Sequence, residues 1–283
     1  MRTEKEIIDN ILYVAENDEA VRAVIRTDLL PDKKYRYYNF CFVVNDIEKY
    51  EKDLFETCFG ERILLYRGDR NYPELFPNHT KAYLMVFRDG ITIAVNIMDK
   101  DTFLARFYGK QEHENVWLGD TYLKIMDKDG ILPEIKRLDE KQTWFAGKPT
   151  KEEFGETCNE FWWVLKTFAE YTLRRELPSA MFYLNVAVRE LLNKMIRWYI
   201  FLQAGYPVDM GILDCNMEKL LDRDLFSLYR KTYPTADYDS MWEAFDAVTR
   251  LWTTIAADTA EFCDYVYSKE TEKDMLIFIK ALR

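Results

Sequence analysis

Apolar and polar positions along the chain follow two periods, and the period changes once, near residue 147. Residues 4–18 place Ile7, Ile8, Ile11, Leu12 and Ala15 on one helical face, the spacing of an amphipathic helix. Short runs rich in β-branched and aromatic residues follow: Val21–Ile25, Tyr38–Val44, Arg62–Tyr66, Ala82–Phe87, Ile91–Ile97 and Tyr122–Met126. These predict strands. Between two of them, Arg88-Asp89-Gly90 carries the Asp-Gly pair of a tight primed hairpin turn. Glu48–Phe59 reads as a helix between strands. Beyond Gly147-Lys148-Pro149 the pattern turns helical. Thr150 and Glu153 form a capping box, and helices are predicted over 151–175, 179–204, 216–232, 239–268 and 271–282. Gly205, followed by Pro207, ends the second of these. The expected fold class is α+β: a mixed α/β unit over 1–147, then an all-helical bundle over 148–283.

Composition agrees with two domains. The chain has 283 residues, 48% hydrophobic and 16% aromatic, enough for two cores. A net charge of -10 argues against a nucleic-acid surface, which needs clustered Lys and Arg, and is compatible with a polycationic ligand. The N-terminus lacks an apolar signal region, and the longest apolar runs, such as Trp198–Leu202, are too short to span a bilayer. The expectation is a cytoplasmic protein with no membrane partner. Cys41, Cys58, Cys158, Cys215 and Cys263 are scattered and read as reduced thiols. With His79 and His113 the only histidines, a zinc site or a Cys–His nucleophile is disfavoured.

Several segments, in order and spacing, carry a family resemblance over more than 200 residues. They are Glu74-Leu75-Phe76-Pro77, Asp127-Lys128-Asp129-Gly130, Cys158-Asn159-Glu160-Phe161-Trp162-Trp163, Leu173-Arg174-Arg175-Glu176, Gly205-Tyr206 with Met210-Gly211, Leu228–Tyr233 and Met241-Trp242. The chain resembles the aminoglycoside 6-adenylyltransferases, which modify streptomycin. The resemblance implies a nucleotidyltransferase-like mixed sheet joined to a helical substrate-binding domain. It also implies AMP transfer from MgATP to an aminoglycoside hydroxyl. The metal of that reaction needs oxygen ligands, and carboxylates at i and i+2 of one strand reach a common site from one face. The family supplies such a pair and a third carboxylate from the next hairpin. The matching positions here hold Tyr37, Asn39 and Ala94. The Gly-Ser phosphate turn of the family corresponds to Arg26–Pro31, which has no glycine, and its lysine-rich stretch corresponds to Ile212–Lys219, with one lysine and two acids.

Those three departures predict a chain that does not adenylylate by the usual route and instead binds a small ligand, for which an aminoglycoside is the model. One alternative is an active enzyme with relocated carboxylates, Asp99 and Asp101 serving the metal. Another is a non-enzymatic interaction protein. Against the metal role, Asp99 and Asp101 also suit a strand exit and helix cap, and Asp127-Lys128-Asp129-Gly130 suits a turn. Asp28 and Asp32 read as solvated.

For the ligand, Glu160 beside Trp162 and Trp163 suits a guanidinium or ammonium group. Glu176 and Glu190 are further candidates, each equally explained by a surface ion pair. Arg174 and Arg175 could pair with a phosphate or with Glu176, and Glu176 is the expected partner. Asn185 and Arg189 lie one turn apart and could share a cleft. Tyr183, Trp198, Tyr199 and Phe201 read as bundle core.

Overall fold

A computed structural model describes residues 2–27, 36–50, 55, 58–69, 80–108, 123–132, 147–206 and 208–282. The chain forms two compact units, Met1–Thr143 and Trp144–Arg283.

In the first unit, α1 (Glu4–Glu16) starts at the Thr3–Glu6 capping box and buries Ile7, Ile11, Val14 and Ala15. The strands are β1 (Val21–Arg26), β2 (Tyr37–Val44), β3 (Arg62–Asp69), β4 (Thr80–Phe87), β5 (Thr92–Asp99) and β6 (Leu123–Asp127), with α2 (Lys100–Tyr108) after β5. They form one sheet in the order β3-β4-β5-β2-β1-β6. Every pairing is antiparallel except β2 with β5, which is parallel. Tyr38, Phe40, Phe42 and Val44 join Ile93, Val95 and Ile97 in a core shared with Ile7 and Ile11 of α1. Cys41, Val43 and Met98 point the other way and pack with Phe103 of α2 and Leu132. The central strands are therefore apolar on both faces, which is why β2 and β5 read as near-continuous hydrophobic runs.

Two local expectations change. Only Gly90 of the β4–β5 turn has positive φ, at 79°, and its N–H donates to Phe87 O at 3.1 Å. A primed two-residue turn needs positive φ at its first central position, and Asp89 does not have it. The chain instead makes a three-residue loop, Arg88–Gly90, with glycine taking the left-handed place. Of the predicted Glu48–Phe59 helix, the described part is one 3-10 turn, Ile47–Lys49, capped by Asp46, while 51–54, 56 and 57 lie outside the described residues.

The second unit is helical: α3 (Lys151–Leu173), α4 (Leu177–Phe182), α5 (Arg189–Ala204), α6 (Met217–Leu220), α7 (Arg223–Arg230), α8 (Tyr238–Cys263) and α9 (Lys269–Leu282). Thr150 and Glu153 form the capping box at the start of α3, and Gly205, at φ 72°, ends α5. Its core is built on Phe161 of α3 stacked on Trp252 of α8, ring centroids 3.6 Å apart and both buried. Trp198 and Tyr199 belong to this core, and Tyr183 is half-buried against it. The predicted helix 179–204 is interrupted: Tyr183–Val188 form a widened π-turn between α4 and α5. The predicted helix 216–232 breaks at Leu221, which is extended, and Asp222, which is non-helical. Helix α8 stops at Cys263 because Asp264 adopts the left-handed conformation, φ 56°.

Candidate functional site

Parallel pairing of β2 with β5 brings together the three positions that the resemblance matches to metal ligands. Asn39 lies directly opposite Ala94, Tyr37 opposite Thr92 and Cys41 opposite Asn96. Alternation then puts residues 37, 39 and 41 on the face shared by 92, 94 and 96. That patch holds an amide pair beside the Tyr37 phenol and the Thr92 hydroxyl. Asn96, 2% exposed, donates its side-chain N–H to Asn39 Oδ1 at 2.8 Å. The backbone carbonyl of Asn39 accepts from the Thr27 N–H at 2.8 Å, fixing the strand where β1 ends.

Magnesium wants hard oxygen ligands, above all carboxylates. Ala94 has none, Tyr37 brings a neutral phenol, and the Asn39 side-chain oxygen already accepts from Asn96. Among the described residues no three His, Cys, Asp or Glu side chains gather where a metal could be held. These residues do not fit a divalent cation.

The alternative carboxylates, Asp99 and Asp101, have other surroundings. Asp99 Oδ1 accepts from the Thr102 N–H at 2.7 Å and caps α2, while Asp101 is exposed in the first turn of that helix. Asp99 stands five residues beyond Ala94, roughly 16 Å along the strand and on the opposite pleat face. Asp127 accepts from the N–H groups of Ile131 and Leu132, each at 3.0 Å, in a turn where Gly130 has φ 64°. Asp129 is held by Arg22 and Lys100, which keep its carboxyl well below the usual carboxylate range. Asp28 and Asp32 lie outside the described residues.

In the helical unit the ligand candidates separate. Trp163 is 67% exposed, and the ammonium of Lys166 lies 4.8 Å from its ring centroid. Lys166 in turn pairs with Glu170 at 3.0 Å. Glu160, one turn before Trp163, is exposed. Glu176 is exposed at the start of α4 and makes no cap hydrogen bond. The expected pairing of Arg174 and Arg175 with it gives way to ring contacts: Arg175 lies 4.4 Å from the Tyr238 centroid and Arg174 5.7 Å from that of Tyr171. Glu190 pairs with Arg197 at 3.0 Å. Asn185 is exposed on the π-turn, whereas Arg189 is buried.

Three arrangements escaped the sequence reading. Asn96 was visible as the one amide inside the apolar run Ile93–Met98. Arg197 also holds Asp214 at 3.1 Å, in a loop where Leu213 and Asp214 have φ 54° and 60°; burial pushes the Asp214 carboxyl up despite that partner. Arg189 donates to Thr232 Oγ1 and Thr232 O, each at 3.0 Å, from 43 positions away.

The first unit is thus a mixed sheet with one parallel pair at its centre, and the second is helical. Comparison with known proteins gives the family. The streptomycin adenylyltransferase family model matches residues 1–282. Aminoglycoside 6-adenylyltransferases from Campylobacter jejuni, Bacillus subtilis and Staphylococcus aureus are each 28% identical to this chain. They align over 96%, 94% and 99% of it, and over 93%, 93% and 98% of their own lengths. The crystal structure of an aminoglycoside 6-adenyltransferase from Bacillus subtilis superposes with a TM-score of 0.47 at 25% identity, covering 100% of this chain and 99% of that one. The chain belongs to the streptomycin adenylyltransferase family.

Proposed function

We propose that this family member does not transfer AMP at the β2–β5 pair and instead binds a small polycationic molecule of the aminoglycoside class. The observation that carries the reading is the Asn39–Asn96 amide bond opposite Ala94. Where the family resemblance implies three carboxylates, this chain has a neutral, internally hydrogen-bonded joint. Without negative oxygens there, a metal-bound triphosphate has no anchor. If metal stabilisation is worth about 5 kcal/mol, its loss slows transfer on the order of 10⁴-fold.

Cation binding is supported by the acidic balance of the chain, -10 overall, and by Glu160 exposed one turn from Trp163 on α3. A carboxylate next to an aromatic face suits a guanidinium through charge pairing and cation–π contact. Lys166 already shows that the Trp163 ring accepts a cation.

Calorimetric titration with streptomycin, with and without MgATP, tests the proposal. Saturable heat that MgATP leaves unchanged is the expected result. MgATP that tightens streptomycin binding would overturn the loss of the nucleotide site, and no heat from streptomycin would overturn the ligand class.

A further inference from the structure

The two edges of the six-stranded sheet differ. β6 forms one edge with five residues, and its Lys124 is exposed. A short strand carrying a lysine resists the addition of another strand. β3 forms the other edge with eight residues, among them no proline and no lysine. Beyond a bulge between Arg62 and Leu64 it runs in unbroken register with β4 from Leu64 to Asp69. Its centre is apolar and open to water: Ile63 is 62% exposed, Leu64 54% and Tyr66 43%. Among the described residues no strand pairs with its outer side. A long, apolar edge strand is a template for another strand, through the backbone groups that face away from its own sheet.

Charge selects the occupant. Glu61, with its side chain 83% exposed, precedes the apolar stretch, and Arg67, also exposed, follows it. A second copy of β3, laid antiparallel about a two-fold axis through Leu64, sets Leu64 opposite itself, Ile63 opposite Leu65 and Glu61 opposite Arg67. Two-fold symmetry makes each of the last two contacts twice. Cross-strand apolar pairs and opposite-charge pairs are what stabilise such a ladder. Sliding by one residue sets Arg62 opposite Arg67 in one direction and Glu61 opposite Tyr66 in the other. Centring the pair between Leu65 and Tyr66 sets Ile63 opposite Gly68 and Leu64 opposite Arg67. Of these registers, the one centred on Leu64 alone matches both the apolar residues and the charges. Glu61 already reaches Arg88 of its own chain at 3.1 Å, but both side chains are exposed, and such a pair contributes little. We infer that the β3 edge is an interface for a second copy of this chain, which pairs antiparallel across Leu64 and joins two six-stranded sheets into one. The interface lies within the first unit and away from the β2–β5 pair, so it stands whether or not that pair can transfer AMP.

Sedimentation velocity of the full chain over a wide range of protein concentration, with no ligand present, tests the interface. A reversible monomer–dimer equilibrium is expected. Leu64→Lys, which puts like charges on the two-fold axis, is expected to weaken the dimer at least about tenfold. Glu61→Arg sets like charges opposite each other at both ends of the paired stretch and is expected to weaken it about tenfold. Adding Arg67→Glu to Glu61→Arg restores opposite charges and is expected to return association to the wild-type level. Circular dichroism checks that each variant is folded; Glu61 is exposed and precedes the strand, so its reversal reports on pairing rather than on the core. A wild-type chain that is monomeric at every concentration overturns the interface. So does a dimer that Leu64→Lys leaves intact, or one that Glu61→Arg weakens and Arg67→Glu does not restore.

Discussion

Asn96 and Asn39 face one another across the parallel β2–β5 pair, the buried amide of Asn96 donating to Asn39 Oδ1 at 2.8 Å. One hydrogen bond thereby satisfies a polar group that the sheet would otherwise bury at a loss, and it engages the one side-chain oxygen that position 39 could offer a metal.

Replacing Asn96 separates these roles. Asn96→Leu removes the donor and leaves Asn39 half-exposed to water, at a cost of about 1 kcal/mol. Asn96→Asp places an acceptor-only carboxylate at a site 2% exposed, facing the Asn39 oxygen. It should cost about 3 kcal/mol or more at pH 7. Burial raises the pKa of the new carboxyl in the folded state, so its neutral form is the one the fold tolerates. The penalty is therefore smallest below about pH 4 and grows as pH rises. Urea unfolding at pH 4 and pH 7 measures both effects.

Asp99 is a structural cap in this account. Asp99→Ala removes the acceptor for Thr102 N–H and is expected to lower stability by about 1 kcal/mol, with Asp99→Asn near wild type. Neither change should alter ligand binding. Thermal melts beside streptomycin titrations check the pair, and a large loss of binding in Asp99→Asn at unchanged stability would contradict the capping role.

The Arg2 guanidinium clasps Asp89 at 2.8 Å and lies 4.2 Å from the Phe87 ring centroid, tying the start of the chain to the β4–β5 turn. That hydrogen-bonded pairing holds Asp89 down to about 2, against an ordinary 3.8. A lowered carboxyl stabilises the fold above its ordinary value and loses that contribution as pH falls from 3.8 towards 2. Arg2→Met should therefore cost about 1 kcal/mol at neutral pH, the pair being partly solvent-screened. The gap from wild type should narrow in acid. Stability measured from pH 6 down to pH 2 tests the sign.

How much of this was legible in the sequence depended on how local each feature is. The Thr150 capping box and the Gly205 stop are set by residues within one turn, and each is present. The six strands likewise announced themselves by composition. The parallel partnership of β2 and β5 joins segments more than fifty residues apart, and no local period reports it. The π-turn at Tyr183–Val188 was hidden because no residue type there marks it, and apolar residues continue through it. Arg189 sits on a helix whose pattern assigns arginine to a solvated or cleft-facing position; its partner, 43 residues away, buries it instead. The Asp-Gly turn was recognised but mistyped, because Asp89 keeps negative φ while its carboxylate serves Arg2.

The central claim is that the β2–β5 site does not support metal-dependent transfer. The most direct measurement is transfer of label from α-³²P-ATP with magnesium to streptomycin and a panel of other aminoglycosides. The account predicts no labelled drug above the protein-free background. Magnesium-dependent labelling of any aminoglycoside by the wild-type chain would contradict it.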